Sequence, residues 1–137
     1  MGQYGSGDFM ITGNNVGIGT TNPTAKLEVI GSVKDYATFN RQTSNYTFVL
    51  SDASKIIEMN VATANTGTIP LNSSVAFRTG TKIEVVQYGA GQTTITGSAG
   101  VTLRTANNYT RINARYGAAT CIKVGTDEWY LFGNLSA

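Results

Sequence analysis

For chemistry this chain offers eight carboxylates, ten basic side chains, one cysteine and no histidine. With a single thiol, Cys121, and no imidazole, one chain cannot assemble a Cys₂His₂ or Cys₄ zinc site, nor a Ser-His-Asp or Cys-His nucleophile. Neither a metal nor a cofactor is expected. The carboxylates are Asp8, Glu28, Asp35, Asp52, Glu58, Glu84, Asp127 and Glu128. Cleaving a glycosidic bond takes two carboxyl groups about 5 to 10 Å apart. The one adjacent pair, Asp127-Glu128, would point to opposite faces of a strand. Gly17-Ile18-Gly19 and Gly89-Ala90-Gly91 could cradle a phosphate only ahead of a helix N-terminus. No helical pattern follows either, so both read as turn glycines, the second in a hairpin. The expectation is a protein that is not an enzyme, with glycan cleavage as a minor alternative.

The side chains suited to recognition are of another kind. Tyr88 and Tyr109 stand beside turns, where a ring can stack on a sugar face. Tyr109 follows Asn107 and Asn108 in a polar loop whose amides can donate and accept hydrogen bonds. Arg111-Ile112-Asn113-Ala114-Arg115-Tyr116 alternates, so a strand there would carry Arg111, Asn113 and Arg115 on one face. That face reads as solvated, as forming interchain ion pairs with Glu84 or Glu58, or as a reader of acidic glycans, since guanidinium matches planar carboxylates. The candidate binding set is therefore Tyr88, Tyr109, Asn107, Asn108, Arg111 and Arg115. In Trp129-Tyr130-Leu131-Phe132, Trp129 and Leu131 share one face and Tyr130 and Phe132 the other. One face is expected in the core, with Trp129 read as a core or trimer-interface anchor and, as the alternative, a stacking platform for a sugar ring. Cys121, within Thr120-Cys121-Ile122-Lys123-Val124, reads as an inert buried strand residue.

These residues need a scaffold, and the composition indicates β-structure. Charged residues are 13% of the chain, against about 25% in ordinary globular proteins. Threonine (20) and glycine (16) are heavily used, the first fitting pleated strands and the second turns. A net charge of +2 with scattered Lys and Arg gives no footprint for nucleic acid. No run of about 18 apolar residues exists for a membrane span, and residues 1–7 lack the features of a signal peptide. They read as an arbitrary cut within a longer protein.

The spacing predicts three segments. Residues 1–32 hold a turn, Asn15-Val16-Gly17-Ile18-Gly19-Thr20-Thr21-Asn22-Pro23, and then the alternating run Lys26-Leu27-Glu28-Val29-Ile30. A unit below about 40 residues without disulfide or metal usually closes its core by oligomerisation, so Val16, Ile18, Leu27 and Val29 are candidates for an interface between chains. Residues 33–44 read as a connector, compatible with a short strand over 36–40 or with a brief helix. Residues 45–137 read as a β domain, with strands over 46–50, 55–60, 67–70, 74–77, 82–88, 93–96, 101–103, 111–116, 119–124 and 128–133. Segments 89–92, 97–100 and 117–118 are its turns.

The 15–29 stretch resembles shaft modules of bacteriophage tail fibres. Tyr46-Thr47-Phe48-Val49-Leu50-Ser51-Asp52-Ala53, Asn72-Ser73-Ser74-Val75-Ala76-Phe77, Gln87-Tyr88-Gly89-Ala90-Gly91-Gln92-Thr93 and Gly125-Thr126-Asp127-Glu128-Trp129-Tyr130-Leu131-Phe132-Gly133-Asn134-Leu135 are similar, in that order, to C-terminal domains of phage and prophage tail fibres. The resemblance implies an all-β homotrimer: a short intertwined N-terminal shaft or neck, then an antiparallel β-sandwich or barrel-like tip. It also implies a place in the virion after synthesis in the bacterial cytoplasm, and attachment to a bacterial surface receptor, most simply a carbohydrate, alongside the remainder of the fibre. A purely structural neck with no receptor site is the alternative.

Overall fold

Alternation of apolar and polar residues, the strongest signal in the chain, becomes strand wherever a second strand covers the apolar face. The computed structural model describes residues 15–137, which fall in two units, 15–36 and 37–137. Among the described residues there are thirteen strands and no helix beyond two three-residue 3-10 turns, so the protein is all-β.

In the first unit, β1 (Val16–Ile18) pairs in parallel with β2 (Leu27–Val29), with Val16 opposite Leu27 and Ile18 opposite Val29. The intervening turn is held by Asn15 Nδ2 donating to the Pro23 carbonyl (3.0 Å) and by the Thr24 N–H and hydroxyl donating to Glu28 Oε2 (2.6 and 3.0 Å). The Thr24 backbone N–H, and then its hydroxyl, hold the Glu28 carboxyl below the usual range. Among the described residues of the unit, the two short strands have no opposite layer. Ile18 is 56% exposed and Leu27 62%, while Val16 and Val29 are half-buried.

The second unit has two sheets. The six-stranded sheet contains β3 (Phe39–Gln42), β5 (Ile56–Met59), β7 (Lys82–Gln87), β9 (Thr102–Arg104), β11 (Ala118–Lys123) and β12 (Glu128–Gly133), in the order β3-β5-β7-β11-β12-β9. The five-stranded sheet contains β4 (Tyr46–Thr47), β6 (Asn65–Ile69), β8 (Thr93–Gly97), β10 (Arg111–Ile112) and β13 (Leu135–Ser136), in the order β13-β10-β8-β6-β4. From β3 to β11 every strand crosses to the other sheet, and β11–β12 is the one direct hairpin. The first three passes coil: β3, β5 and β7 stack in parallel in one sheet, and β4, β6 and β8 in the other. Antiparallel pairing enters with β7–β11, β11–β12, β8–β10 and β10–β13, while β9–β12 is again parallel.

The expected antiparallel arrangement is thus corrected to a mixed one, and neither sheet closes into a barrel. The physical reason lies at the corners. Segment 89–92 is not a hairpin but carries the chain from β7 in one sheet to β8 in the other. Gly91 donates its N–H to the Val61 carbonyl and the Asn65 N–H reaches the Gln92 carbonyl (2.9 and 3.0 Å), so successive corners stack backbone on backbone. A Cβ at Gly89 would collide with the backbone of Val61, and one at Gly91 with that of Thr63. Neither glycine has a positive φ. Close approach, rather than left-handed geometry, demands glycine here.

Both sheets contribute to one core. Ile57, Met59, Ile83, Val85, Cys121, Trp129 and Leu131 come from the six-stranded sheet, and Ile69, Ile95 and Ile112 from the other. Trp129 and Leu131 are buried while Tyr130 and Phe132 are half-exposed, as the alternation predicts. Polar groups inside are matched. Thr93 Oγ1 donates to Asn65 Oδ1 (2.8 Å), the Thr93 N–H to Gln87 Oε1 (3.1 Å), and Asp52 accepts from Asn40 Nδ2, the Tyr46 hydroxyl and the Val49 N–H (2.8, 2.9 and 2.9 Å).

One predicted strand does not form and another is cut short. Residues 74–77 are looped, with the Ser74 and Val75 N–H groups both turned back to the Leu71 carbonyl. The strand expected over 111–116 stops at Ile112, because Asn113 bonds Asn134 and a turn closed by Gly117 N–H to the Ala114 carbonyl follows (2.9 Å).

Cys121 is fully buried, and desolvation, then the Glu84 charge, push its thiol up to about 12. It is therefore expected to resist alkylation in the folded protein and react only on denaturation, a difference that thiol titration with and without denaturant measures. Full labelling of the native chain at neutral pH would show the site to be open.

Candidate functional site

The six candidate binding residues separate into two surface clusters and one outlier. The first cluster is built at the corner where β7 ends. The in-register pairing of β3 with β5 puts Arg41 opposite Glu58, and Arg41 Nε donates to Glu58 Oε2 at 2.9 Å. That hydrogen bond holds the Arg41 pKa above its usual value. The same guanidinium lies 4.1 Å from the centroid of the Tyr88 ring, a cation–π distance. Tyr116 meets Tyr88 edge-to-face with centroids 6.0 Å apart, and the Arg115 guanidinium lies 4.8 Å from the Tyr116 centroid. Arg115 Nε donates to the Tyr88 carbonyl at 3.0 Å. Two guanidinium groups and two rings thus interleave on the surface.

Within this cluster Tyr116 is unusual. It is 65% exposed and has φ +66°, a left-handed conformation that costs a bulky residue of order 1–3 kcal/mol. The turn imposes it: the Tyr116 N–H donates to the Gln87 carbonyl (2.7 Å) and the next N–H closes on Ala114. An exposed aromatic in a conformation that glycine would adopt more easily is the kind of local conflict found at binding surfaces.

The second cluster surrounds Tyr109. Residues Ala106–Asn108 form a 3-10 turn in which Asn107 and Asn108 take φ +55° and +57°. Thr105 Oγ1 donates to the Tyr109 carbonyl at 2.7 Å and fixes the loop. Tyr109, 37% exposed, lines a concavity of about 150 Å³ together with Thr105, Phe132 and Leu135. Asn107 and Asn108 are exposed at its edge in sequence.

Arg111 is the outlier. It donates Nη1 to the Ala137 carbonyl at 3.2 Å. With β10 cut short, the shared strand face expected for Arg111, Asn113 and Arg115 does not exist. No family model, curated protein or solved structure matches this chain.

Three residues of the first cluster were not among the sequence candidates. Arg41 lay in a segment read as connector, and Glu58 and Tyr116 appeared only as a possible ion-pair partner and a strand end. The Tyr116-Gly117 dipeptide was the available turn signal. The acidic pair is otherwise engaged: Asp127 Oδ1 accepts from the Asn72 N–H (2.6 Å), and Glu128 pairs with Arg104 (2.6 Å). Among the described residues no group of three or more His, Cys, Asp or Glu side chains could hold a metal ion.

Proposed function

We propose that this chain is part of a homotrimeric phage tail fibre and that its second unit attaches to carbohydrate on a bacterial surface. The observation that carries this reading is the Tyr88–Tyr116 pair, Tyr116 exposed and Tyr88 half-buried, held between Arg41 and Arg115 at a corner of the β scaffold. Rings fixed in this way lose little freedom when a sugar face stacks on them, and arginines at their edge add hydrogen-bond donors. The Tyr109 concavity supplies a second, apolar contact of similar kind.

The first unit supports the trimer. Its Ile18 and Leu27, together with Ile30 at 62% exposure, form more apolar surface than two strands can cover. Partner copies bury it. Three copies on one fibre then raise overall affinity through effective concentration, so each sugar site can be weak.

Light scattering of the purified chain should give about three times 14.5 kDa. Tyr109→Ala should weaken each site's binding to host-cell surface glycan by about tenfold, in the range for losing one stacked aromatic, with little change in melting temperature. A chain that stays monomeric at high micromolar concentration refutes the trimer. Wild-type trimers that bind no surface preparation from any host leave the structural neck as the better account.

A further inference from the structure

Lys123 lies on β11 with its side chain in the interior, 2% exposed, opposite Trp129 in the hairpin register. Its Nζ is 2.5 Å from Asn72 Oδ1 and 2.8 Å from the Phe77 carbonyl oxygen. Phe77 and Trp129 pack edge-to-face beside it, 5.5 Å between centroids. Among the described residues the ion pairs are Arg41–Glu58 and Arg104–Glu128, so no carboxylate lies within pairing distance of this amine. A buried ammonium without a counter-ion is costly to hold. It is also mismatched: an ammonium has three N–H donors, and its hydrogen-bond partners here are two carbonyl oxygens.

We propose that Lys123 and Asn72 condense into an intramolecular isopeptide bond. The Nζ lone pair attacks Asn72 Cγ, one bond beyond the oxygen it already touches. The Nζ–Cγ bond forms, one Nζ proton passes to Nδ2, the Cγ–Nδ2 bond breaks, and Nδ2 leaves as ammonia. Begun from the ammonium form, Nζ first gives up a proton, which leaves with the ammonia as ammonium. Atoms and charge balance without an oxidant, a metal or a second substrate. The product removes both difficulties of the precursor. The charge is gone, and the new secondary amide has one N–H, for which the Phe77 carbonyl is already placed.

The geometry prepares the two partners from separate parts of the chain, 51 residues apart in sequence. The Phe77 carbonyl fixes the amine. Asp127 fixes the amide: its Oδ1 accepts from the Asn72 backbone N–H at 2.6 Å, which makes Asp127 a positioning residue. The bond would staple the 70–81 loop to β11, joining a long connection to the centre of the six-stranded sheet. In a fibre that bears mechanical load, such a link keeps the loop from peeling. The inference stands on these contacts alone and does not depend on what the surface clusters bind.

Intact mass measured under denaturing conditions decides it. The chain is expected to weigh less than its sequence mass by one ammonia, after allowance for the presence or absence of Met1. Protease digestion should yield a branched peptide linking the segments that contain Asn72 and Lys123. Lys123→Met and Asn72→Ala should each restore the full mass. Asp127→Ala should lower the condensed fraction at a given time after folding, and an unchanged fraction would refute its positioning role. Folded wild-type chain that keeps its full mass after prolonged incubation overturns the proposal, whatever the variants do. So does an ammonia loss confined to one linear peptide, which would mark a succinimide instead.

Discussion

Gly91→Ala is expected to destabilise the second unit by about 3 kcal/mol, in the upper range for overpacking at a site that cannot relax. The added methyl would fall onto the Thr63 peptide, which is backbone and cannot swing aside. Both stacked corners are tied by the Gly91–Val61 and Asn65–Gln92 hydrogen bonds, so the clash can be relieved only by separating successive coils. For a unit of this size, each kcal/mol is worth about 4–8 °C, giving a melting-temperature drop of about 12–24 °C. Gly80→Ala is the control. Gly80 has φ +90° but nothing within 4 Å of an added Cβ. The alanine there should incur only backbone strain, costing about 1 kcal/mol. If thermal melts of the two variants coincide, corner stacking does not govern the fold.

That contrast explains what could be read from the sequence. Strands whose two faces differ were legible. The Trp129/Leu131 alternation located β12 to the residue, and Cys121 and Trp129 are buried as expected. Strand partners were not legible, because parallel coils are specified by contacts between segments tens of residues apart. Gly89 and Gly91 carry the same local signal whether they turn a hairpin or let one corner rest on another. Segment 74–77 has strand-like composition. Its backbone is instead folded back on Leu71, and the Phe77 carbonyl serves Lys123.

The same limit shaped the candidate site. Tyr88 and Arg115 were found because aromatic and guanidinium groups beside turns are recognisable one residue at a time. Arg41 is 47 positions before Tyr88 in the numbering and reaches it only through the β3–β5–β7 stack. Arg111 and Arg115 appeared to share a face because the sequence alternates. The turn at 114–117 rotates the second away from the first and onto Tyr88.

If the chain attaches as the proposed trimer through the first cluster, Tyr116→Gly and Arg115→Ala are expected to abolish measurable attachment while the protein stays folded. Each change removes a stacking or donor group that no core residue relies on: Tyr116 and Arg115 are both exposed. Losing one such contact costs a single site about 1.4–2 kcal/mol, roughly ten- to thirtyfold in affinity. When three weak sites act together, the loss is repeated at each, and the total approaches a thousandfold or more. Stability should move the other way for Tyr116→Gly. Glycine adopts φ +66° without the penalty that tyrosine bears, offset in part by its greater freedom when unfolded. The melting temperature of that variant should therefore match or exceed wild type, whereas an aromatic with a packing role would lower it. Glycan-surface binding beside a melting curve separates the two roles. A Tyr116→Gly trimer that melts normally and still binds like wild type would remove this corner from the attachment surface and leave the Tyr109 concavity as the remaining candidate.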